Sequence, residues 1–261
     1  MVRNDSAIAL EVGKEYLVES RLATLARQEG LPSIEQLIAD ARKKPDGGLR
    51  YKIVEAMTTN ETSFFRDVAP FDALREHVLP DLIARRASQR ALRIWCGAAS
   101  TGQEPVSLAM LIREHFPVLA SWRVEIVATD ISREVLDRAR AGRYSQLEVN
   151  RGLPAPLLVK YFEKDSIHWR VKASIRDMIV YRELNLIGPW AGVDNSDVVL
   201  VRNVLIYFDL ETKKRILANV RRMMRPDSYF LMGSAESTMN IDDKFKRIQV
   251  GRTSCYQITG P

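Results

Sequence analysis

The residues best equipped for chemistry form one short run, Thr58–Asp67, which reads TTNETSFFRD. It combines three threonines, an asparagine, a phenylalanine pair and an arginine, directly before a helix-forming segment. A core helix has little use for such a run, because hydroxyl and amide side chains compete with the backbone for hydrogen bonds. A helix entrance needs one cap and not several. Two interpretations stand: a capped turn anchored by the phenylalanines, or a turn that binds a polar ligand.

A second polar segment, Trp95–Pro105, follows some thirty residues later. Its centre, Gly97–Gly102, is a turn of small residues that lets a ligand approach the backbone closely. It matches neither the G-x-G-x-x-G dinucleotide fingerprint nor the P-loop lysine motif, which argues against NAD and ATP in their commonest binding modes. The same residues could also form a plain strand-to-helix connection.

Further polar residues are predicted at strand ends, where open α/β sheets bind ligands. Asp130 ends a predicted strand and is suited to accept hydrogen bonds from a ribose diol; the alternative is a helix cap or a surface aspartate. Arg202 and Asn203 end another strand and need partners once buried, which a structural salt bridge would also satisfy. The pair Asn185-Leu186 also follows strand-like sequence, and by itself it is uninformative.

The elements that carry these residues alternate between strand and helix from about Leu92 onward. This pattern predicts an α/β fold, with a largely parallel sheet and helices on both faces. Residues 1–57 are predicted to be a helical domain and residues 58–261 a sheet domain. Within the latter, about 153–177 predict an inserted helix and a small antiparallel hairpin. The main strands are predicted at 92–96, 124–129, 197–202 and 229–233.

Composition narrows the functional classes. At 46% apolar and 28% charged residues, the 261-residue chain is typical of globular proteins. No apolar run approaches twenty residues and no signal peptide is evident, so we expect a cytoplasmic protein without membrane insertion. Cys96 and Cys255 are too few for a disulfide scaffold or a zinc site, so we expect them reduced and no bound metal. The net charge of +6 favours an acidic partner, but no aromatic and basic residues interleave as in a nucleic-acid groove.

Five ordered motifs resemble the CheR family of chemotaxis receptor methyltransferases over almost the whole chain. They are T-T-N-x-T-x-F-F-R at 58–66, a near match to A-S-T-G-E-E-P-Y-S at 99–107, A-T-D at 128–130, N-L at 185–186, and R-N-V-x-I-Y-F at 202–208. The resemblance implies a Rossmann-like, S-adenosylmethionine-dependent methyltransferase sheet with a small N-terminal helical domain and an inserted antiparallel β subdomain.

The resemblance also implies a role for each matching position. Asn60, Thr62 and Arg66 correspond to contacts with the methionine part of S-adenosylmethionine. Glu104 corresponds to the contact with its amino group and Asp130 to the contact with its ribose. The rest of the cofactor pocket corresponds to Asn185, Leu186, Arg202 and Asn203. The family places Arg66 and Tyr207 near the methyl group and the acceptor carboxylate, so these two are the predicted catalytic residues.

The implied activity is methyl transfer from S-adenosylmethionine to glutamate side chains of chemoreceptors, the methyl-accepting chemotaxis proteins, with S-adenosyl-L-homocysteine as product. A glutamate carboxylate is ionised at neutral pH and needs no base, so the enzyme's task is placement and desolvation. Arg66 could hold that carboxylate by charge-assisted hydrogen bonds. A non-catalytic S-adenosylmethionine-binding regulatory module is the alternative, and a nucleic-acid methyltransferase is the remote one.

Three departures from the family pattern bear on partners. Gln103 and Val106 replace an acid and a tyrosine of the G-E-E-P-Y-S motif. The N-terminal domain is short, and its basic residues, which would meet the receptor's methylation helices, are concentrated at Arg42, Lys43, Lys44, Arg50 and Lys52. The insert around Lys164–His168 has no glycine, whereas family members that hold a receptor's C-terminal pentapeptide tend to have a longer, glycine-containing loop. We therefore expect no such tether.

Overall fold

A computed structural model describes residues 1–8, 13, 15–44 and 47–259. Contacts within the chain divide it into two compact units. The first, here the helical unit, holds the described residues of Met1–Thr59 together with Tyr207–Thr212. The second, here the sheet unit, holds those of Asn60–Ile206 and Lys213–Pro261.

The helical unit is built from four helices, α1 Val2–Ser6, α2 Glu15–Gln28, α3 Ile34–Lys43 and α4 Gly48–Met57. The Ser33 hydroxyl caps α3 by accepting the Gln36 N–H, as expected of a serine at this position. Apolar residues at helical spacing on α2, α3 and α4 form one small core. Its members are Leu22, Leu25, Ala26, Leu37, Ala41, Ile53 and Met57. The predicted helical N-terminal region is confirmed.

The end of α4 leads into the Thr58–Asp67 segment and is held by Arg21 of α2. The guanidinium of Arg21 donates to the carbonyl oxygens of Met57 over 3.0 Å and of Thr58 over 2.9 Å. These carbonyls have no partner within the helix, so a cation at the C-terminus is favourable both as a donor and for the helix dipole. The end of α4 is therefore held against α2 within the helical unit.

The first helices of the sheet unit form a nearly continuous stretch, α5 Ala69–Ala73, a π-helical turn Leu74–Val78 and α6 Leu79–Arg86. Later helices connect or follow the strands. They are α7 Gln103–His115, a 3-10 turn Pro117–Ser121, α8 Arg133–Ala141, α9 Gln146–Asn150, α10 Ala155–Tyr161, α11 Ala173–Arg176 and α12 Leu210–Met223.

The main sheet in the described residues has seven strands. They are β1 Ala91–Gly97, β2 Arg123–Asp130, β6 Ile179–Glu183, β7 Ser196–Val201, β8 Met224–Leu231, β9 Phe245–Val250 and β10 Thr253–Ile258. Their order in the sheet is β6-β2-β1-β7-β8-β10-β9. Neighbours from β6 to β8 run parallel, and the C-terminal hairpin adds two antiparallel strands beyond β8.

Both faces of the central strands are covered, as the β-branched sequence of β7 predicts. Every residue of β7 is buried, and consecutive residues of a strand point to opposite faces. The predicted α/β class with a largely parallel sheet is confirmed. The predicted strand at 229–233 begins earlier, at Met224, and ends at Leu231.

A separate three-stranded antiparallel sheet consists of β3 Arg143–Ser145, β4 Phe162–Asp165 and β5 His168–Val171. Their order in this sheet is β3-β5-β4. The hairpin between β4 and β5 turns through Ser166 and Ile167 alone, since Asp165 pairs with His168. The predicted small antiparallel insert is confirmed, and it also contains β3, which the sequence pattern did not indicate.

No helix in the described part of the chain is both long and apolar enough to cross a bilayer. Cys96 lies in β1 and Cys255 in β10, and both are buried and unpaired, as expected.

Candidate functional site

The loop after β1 turns sharply at three residues with left-handed backbone angles. Ala98, Ser100 and Gly102 have φ values of 57°, 50° and 92°. A Cβ at Gly102 would lie 2.8 Å from the hydroxyl oxygen of Tyr181, so only glycine fits. The Tyr144 hydroxyl donates to the Thr101 carbonyl over 2.9 Å and fixes the loop from the insert side. Such strained turns at a strand end are common at ligand sites.

Asp130, at the end of β2, joins this loop to the Thr58–Asp67 segment. Its carboxylate accepts the backbone N–H of Ser100 over 2.8 Å and that of Ser132 over 3.0 Å. The Ser100 hydroxyl in turn donates to the Asn60 carbonyl over 2.8 Å. Two predicted site residues, Asn60 and Asp130, are thus connected through a serine that the sequence did not single out.

Arg202, just beyond β7, forms a second network. Its guanidinium donates to the Glu104 carboxylate over 2.6 Å, to the Arg66 carbonyl over 2.8 Å and to the Asp67 carboxylate over 3.0 Å. The Arg202 side chain is 1% exposed, and its Nε has no hydrogen-bond partner among the described residues. Three predicted residues, Arg66, Glu104 and Arg202, therefore meet at the start of α7. The salt bridge that the sequence allowed for Arg202 is present.

The backbone from Phe65 to Val68 is strained. Phe65, Asp67 and Val68 have φ values of 47°, 68° and 38°, which are rare for residues with a side chain. The Phe65 N–H donates to the Ser107 hydroxyl of α7 over 3.0 Å, which helps to hold this shape. The turn leaves the Arg66 side chain half-buried, with its guanidinium donating to the Glu61 carbonyl over 2.8 Å. Thr62, also predicted for the site, lies half-buried in the same segment.

The phenylalanine pair of the segment anchors it from two sides. Phe64 is fully buried and packs edge-on against Tyr144 and Phe162 of the insert, with ring centroids 5.1 and 5.7 Å away. Phe65 packs in the same manner against Phe71, at 5.2 Å. The anchored turn and the polar site are thus features of the same ten residues, so the two interpretations of the sequence are compatible.

Asn185 and Leu186 follow β6 beside Asp130. The preceding residue, Leu184, donates its N–H to the Asp130 carbonyl over 2.9 Å. The Asn185 side chain accepts the Ile187 N–H over 3.1 Å, which closes a tight turn. Leu186 is buried. The turn therefore lies at the same edge of the sheet as Asp130.

Asn203 has a left-handed φ of 57° and begins the turn that leaves β7. The carboxylate of Glu236 accepts its N–H over 2.7 Å. Sequence reasoning missed Glu236, which lies in an ordinary-looking Ser-Ala-Glu-Ser loop. Its position shortly after β8 was the available signal, because the other predicted site residues also follow strand ends.

Two further residues were singled out in the sequence, Tyr207 as catalytic and Gln103 as a departure from the family pattern. Tyr207 ends the 3-10 turn Leu205–Tyr207, is half-buried and groups with the helical unit. Gln103, where the family has an acid, is 2% exposed and accepts the Thr101 hydroxyl over 2.8 Å. The departure at Gln103 thus serves the structure of the loop.

Burial keeps the nearby weak acids protonated. It raises the pKa of the Cys96 thiol well above its usual value, and the charge of Glu104 adds to that effect. Burial likewise raises the pKa of the Tyr144 and Tyr181 hydroxyls. At neutral pH these groups are neutral donors, so Cys96 is not a thiolate nucleophile. Among the described residues, no group of three or more His, Cys, Asp or Glu side chains is arranged to hold a metal ion.

This arrangement fits S-adenosylmethionine. The cradle after β1 excludes a Cβ at Gly102, and an acid ends β2 where a ribose diol would lie. A second acid, Glu104, sits in the first turn of α7. The strand-end residues therefore supply the small loop and the carboxylates that an adenosyl ligand with an amino group requires.

Comparison with known proteins identifies the family of this chain. Residues 60–253 match the family described as "CheR methyltransferase, SAM binding domain". The chain is 43% identical to chemotaxis protein methyltransferase 1 of Pseudomonas aeruginosa, over 96% of this chain and 92% of that protein. It is 39% identical to chemotaxis protein methyltransferase Cher2 of Pseudomonas putida over the same shares. It is 36% identical to the chemotaxis protein methyltransferase of Vibrio parahaemolyticus, over 98% of this chain and 94% of that protein. The chain therefore belongs to the CheR methyltransferase family and is an S-adenosylmethionine-dependent methyltransferase.

Proposed function

We propose that this enzyme methylates glutamate side chains in the cytoplasmic part of chemoreceptors, giving methyl esters for sensory adaptation. The supporting observation is the pair of networks at the strand ends, Asn60–Ser100–Asp130 and Arg66–Arg202–Glu104. Membership of the CheR family and relatives named as chemotaxis methyltransferases support the choice of substrate.

Each residue has a proposed task in holding the cofactor. Asp130 accepts from the ribose and Glu104 from the amino group. Arg202 acts through Glu104, because its own guanidinium is buried against the two carboxylates of Glu104 and Asp67. The remaining proposed contacts are Asn60, Thr62, Arg66, Asn185, Leu186 and Asn203.

When bound, S-adenosylmethionine supplies a methyl group on a sulfonium, which a carboxylate can accept without a general base. Arg66 would bind the acceptor carboxylate by charge-assisted hydrogen bonds and hold it in line. Its guanidinium has only a neutral carbonyl as hydrogen-bond partner among the described residues, so an anion is a better partner for it. The part that the resemblance gives to Tyr207 stays a prediction.

Receptor docking is proposed for the end of α3. Of the five basic residues singled out in the sequence, three pair with acids of the same unit: Lys43 with Asp40, Arg50 with Asp5, and Lys52 with Glu29. Arg42 and Lys44 are exposed. We therefore expect Arg42 and Lys44 to provide most of the attraction for acidic methylation helices, in a salt-dependent manner.

The test is incubation with methyl-labelled cofactor and a chemoreceptor cytoplasmic fragment. We expect label on the fragment that mild alkali releases, as for a carboxyl methyl ester. Binding of S-adenosylhomocysteine without transfer would instead identify a regulatory binding module. The double variant Arg42→Glu, Lys44→Glu should raise KM for the fragment and leave S-adenosylhomocysteine affinity unchanged.

A further inference from the structure

The Glu236 carboxylate collects five backbone N–H groups. One oxygen accepts from Asn203 and Gly233, each over 2.7 Å. The other accepts from Val204 over 2.9 Å, Leu205 over 2.7 Å and Ile206 over 3.3 Å. Successive N–H groups that converge on one point form an anion-binding concavity, which here is filled by a side chain of the same chain. The whole turn after β7 is thus held by one residue.

This turn needs such an anchor. It starts with Asn203 in the left-handed region, which is unfavourable without local support. The N–H groups of this turn converge on one point. Without an acceptor at that point they would lack hydrogen-bond partners and repel one another. A carboxylate only accepts hydrogen bonds. An amide of the same size would place its own N–H donors against one of the two sets of backbone N–H groups that converge on the Glu236 oxygens.

Gly233 completes the contact from the β8 side. A Cβ there would lie 2.7 Å from the side-chain amide nitrogen of Asn203, 2.7 Å from the Glu236 carboxylate and 2.8 Å from the Asn203 backbone nitrogen. The Gly233–Glu236 segment can therefore approach the Asn203 turn only because residue 233 is glycine. The two strand-end loops fit together at one point, next to a predicted cofactor residue.

We propose that Glu236 is a positioning residue for the cofactor site, which sets the backbone of Asn203 so that its side chain meets the ligand. The proposal rests on the proposed assignment of Asn203 and Arg202 to that site. Glu236 touches the turn and not the reacting atoms, so its effect is on affinity for the cofactor more than on the transfer step.

The surroundings of Glu236 leave room for a side chain of equal size. Glu236 is half-buried and borders a cavity of about 660 Å³, so a side chain of equal size does not have to enter a packed core. We expect Glu236→Gln to fold. Glu236→Asp keeps the carboxylate but is one methylene shorter, and Glu163→Gln, on the exposed face of β4, is the matched control.

Calorimetric titration with S-adenosylhomocysteine tests the proposal. For Glu236→Gln we expect Kd to rise about tenfold, equivalent to about 1.4 kcal/mol. For Glu236→Asp we expect a rise of about threefold, since both acceptor oxygens remain. Glu163→Gln should bind as the wild type does. Wild-type affinity in Glu236→Gln would overturn the proposal, and so would wild-type affinity in Glu236→Asp if the Gln variant does not fold.

A second readout separates positioning from a purely structural role. The rise in melting temperature on saturation with S-adenosylhomocysteine should be smaller in Glu236→Gln than in the wild type, and KM for S-adenosylmethionine should rise more than kcat falls. A lower melting temperature with an unchanged ligand-induced rise would show a structural role only and overturn the proposal.

The variants Asp130→Ala and Asn203→Ala test the assignment of the cofactor site separately from the role of Glu236. If both weaken binding while Glu236→Gln does not, the cofactor site stands and the positioning role is wrong. If neither weakens binding, the site assignment and the positioning role both fail.

Discussion

The guanidinium of Arg202 and the carboxylate of Glu104 meet over 2.6 Å, with the arginine side chain 1% exposed and the glutamate 12%. The same guanidinium also reaches Asp67 and the Arg66 carbonyl. A single buried cation thus connects the end of β7, the start of α7 and the strained Phe65–Val68 turn. Three sequence motifs that lie far apart along the chain depend on this contact.

Removing that cation should destabilise the fold. Arg202→Ala leaves Glu104 and Asp67 without their partner, and breaking a buried pair costs about 3 kcal/mol or more. Urea unfolding should show this loss. The control is Arg75→Ala, whose pairs with Asp72 and Glu76 are both exposed and should each be worth under about 1 kcal/mol. Equal, small losses in both variants would contradict a buried hub at Arg202.

Arg66→Ala should abolish methyl transfer and leave the fold intact. The lost contact is one hydrogen bond to the Glu61 carbonyl, so the stability should change by about 0.5 kcal/mol or less. Arg151→Ala is the matched control, because Arg151 also contacts Glu61: its guanidinium forms an exposed ion pair with the Glu61 carboxylate. It should retain transfer. Wild-type activity of Arg66→Ala would remove the central role given to this side chain.

Gly102→Ala should weaken both stability and cofactor binding. A Cβ there meets the Tyr181 hydroxyl at 2.8 Å, in addition to the strain of a φ of 92°. The strain alone is worth about 1 kcal/mol or more. Gly251→Ala measures the backbone strain without a clash, since Gly251 has a φ of 53° and open space where a Cβ would lie. Thermal unfolding should show a larger loss of stability, and S-adenosylhomocysteine titration a larger loss of affinity, for Gly102→Ala than for Gly251→Ala. Similar losses in the two variants would show that the contact with Tyr181 is not a clash.

Asp227 should make stability depend on pH. Hydrogen bonds from Arg86, in a bidentate pair at 2.6 and 2.8 Å, lower the pKa of this carboxyl. A lowered pKa in the folded state gives stability above the unfolded-state value of about 3.9 and loses it as the pH falls through the folded value. Asp227→Asn should therefore lose less stability than the wild type between about pH 6 and about pH 3 in urea titrations. If the wild type and Asp227→Asn lost the same amount of stability over this pH range, the Arg86–Asp227 pair would not be coupled to folding.

The compact β4–β5 hairpin should not hold a receptor's C-terminal pentapeptide. Its turn consists of Ser166 and Ile167 only, and Ser166 already has a left-handed φ of 57°. This hairpin lacks the longer, glycine-containing loop that would receive the peptide. Calorimetry with such a pentapeptide should show no binding, and micromolar affinity would contradict the prediction.

The location of several candidate-site residues could be predicted because strand ends leave clear traces in sequence. Asp130 and Arg202 each follow a β-branched apolar run, and the parallel sheet brings such ends to one edge. The antiparallel hairpin β9–β10 was not predicted, since charged residues such as Lys246 and Arg247 interrupt its apolar alternation. The strand β3 was missed because three residues carry too little periodicity.

Glu236 shows what sequence patterns leave out. Four of its five partners lie some thirty residues earlier and the fifth is Gly233; all are backbone N–H groups, which carry no residue-type signal. The same holds for Ser100, whose hydroxyl contacts a carbonyl. Contacts between side chain and backbone depend on the tertiary path of the chain, so a single sequence indicates where they are needed and not which residue supplies them.

The most direct measurement is tandem mass spectrometry of a chemoreceptor cytoplasmic fragment after incubation with the enzyme and S-adenosylmethionine. We expect methyl groups on glutamate side chains, removed by mild alkali and absent when Arg66→Ala replaces the wild type. Methyl groups on another residue type, or an unmodified fragment despite measured cofactor binding, would contradict this expectation.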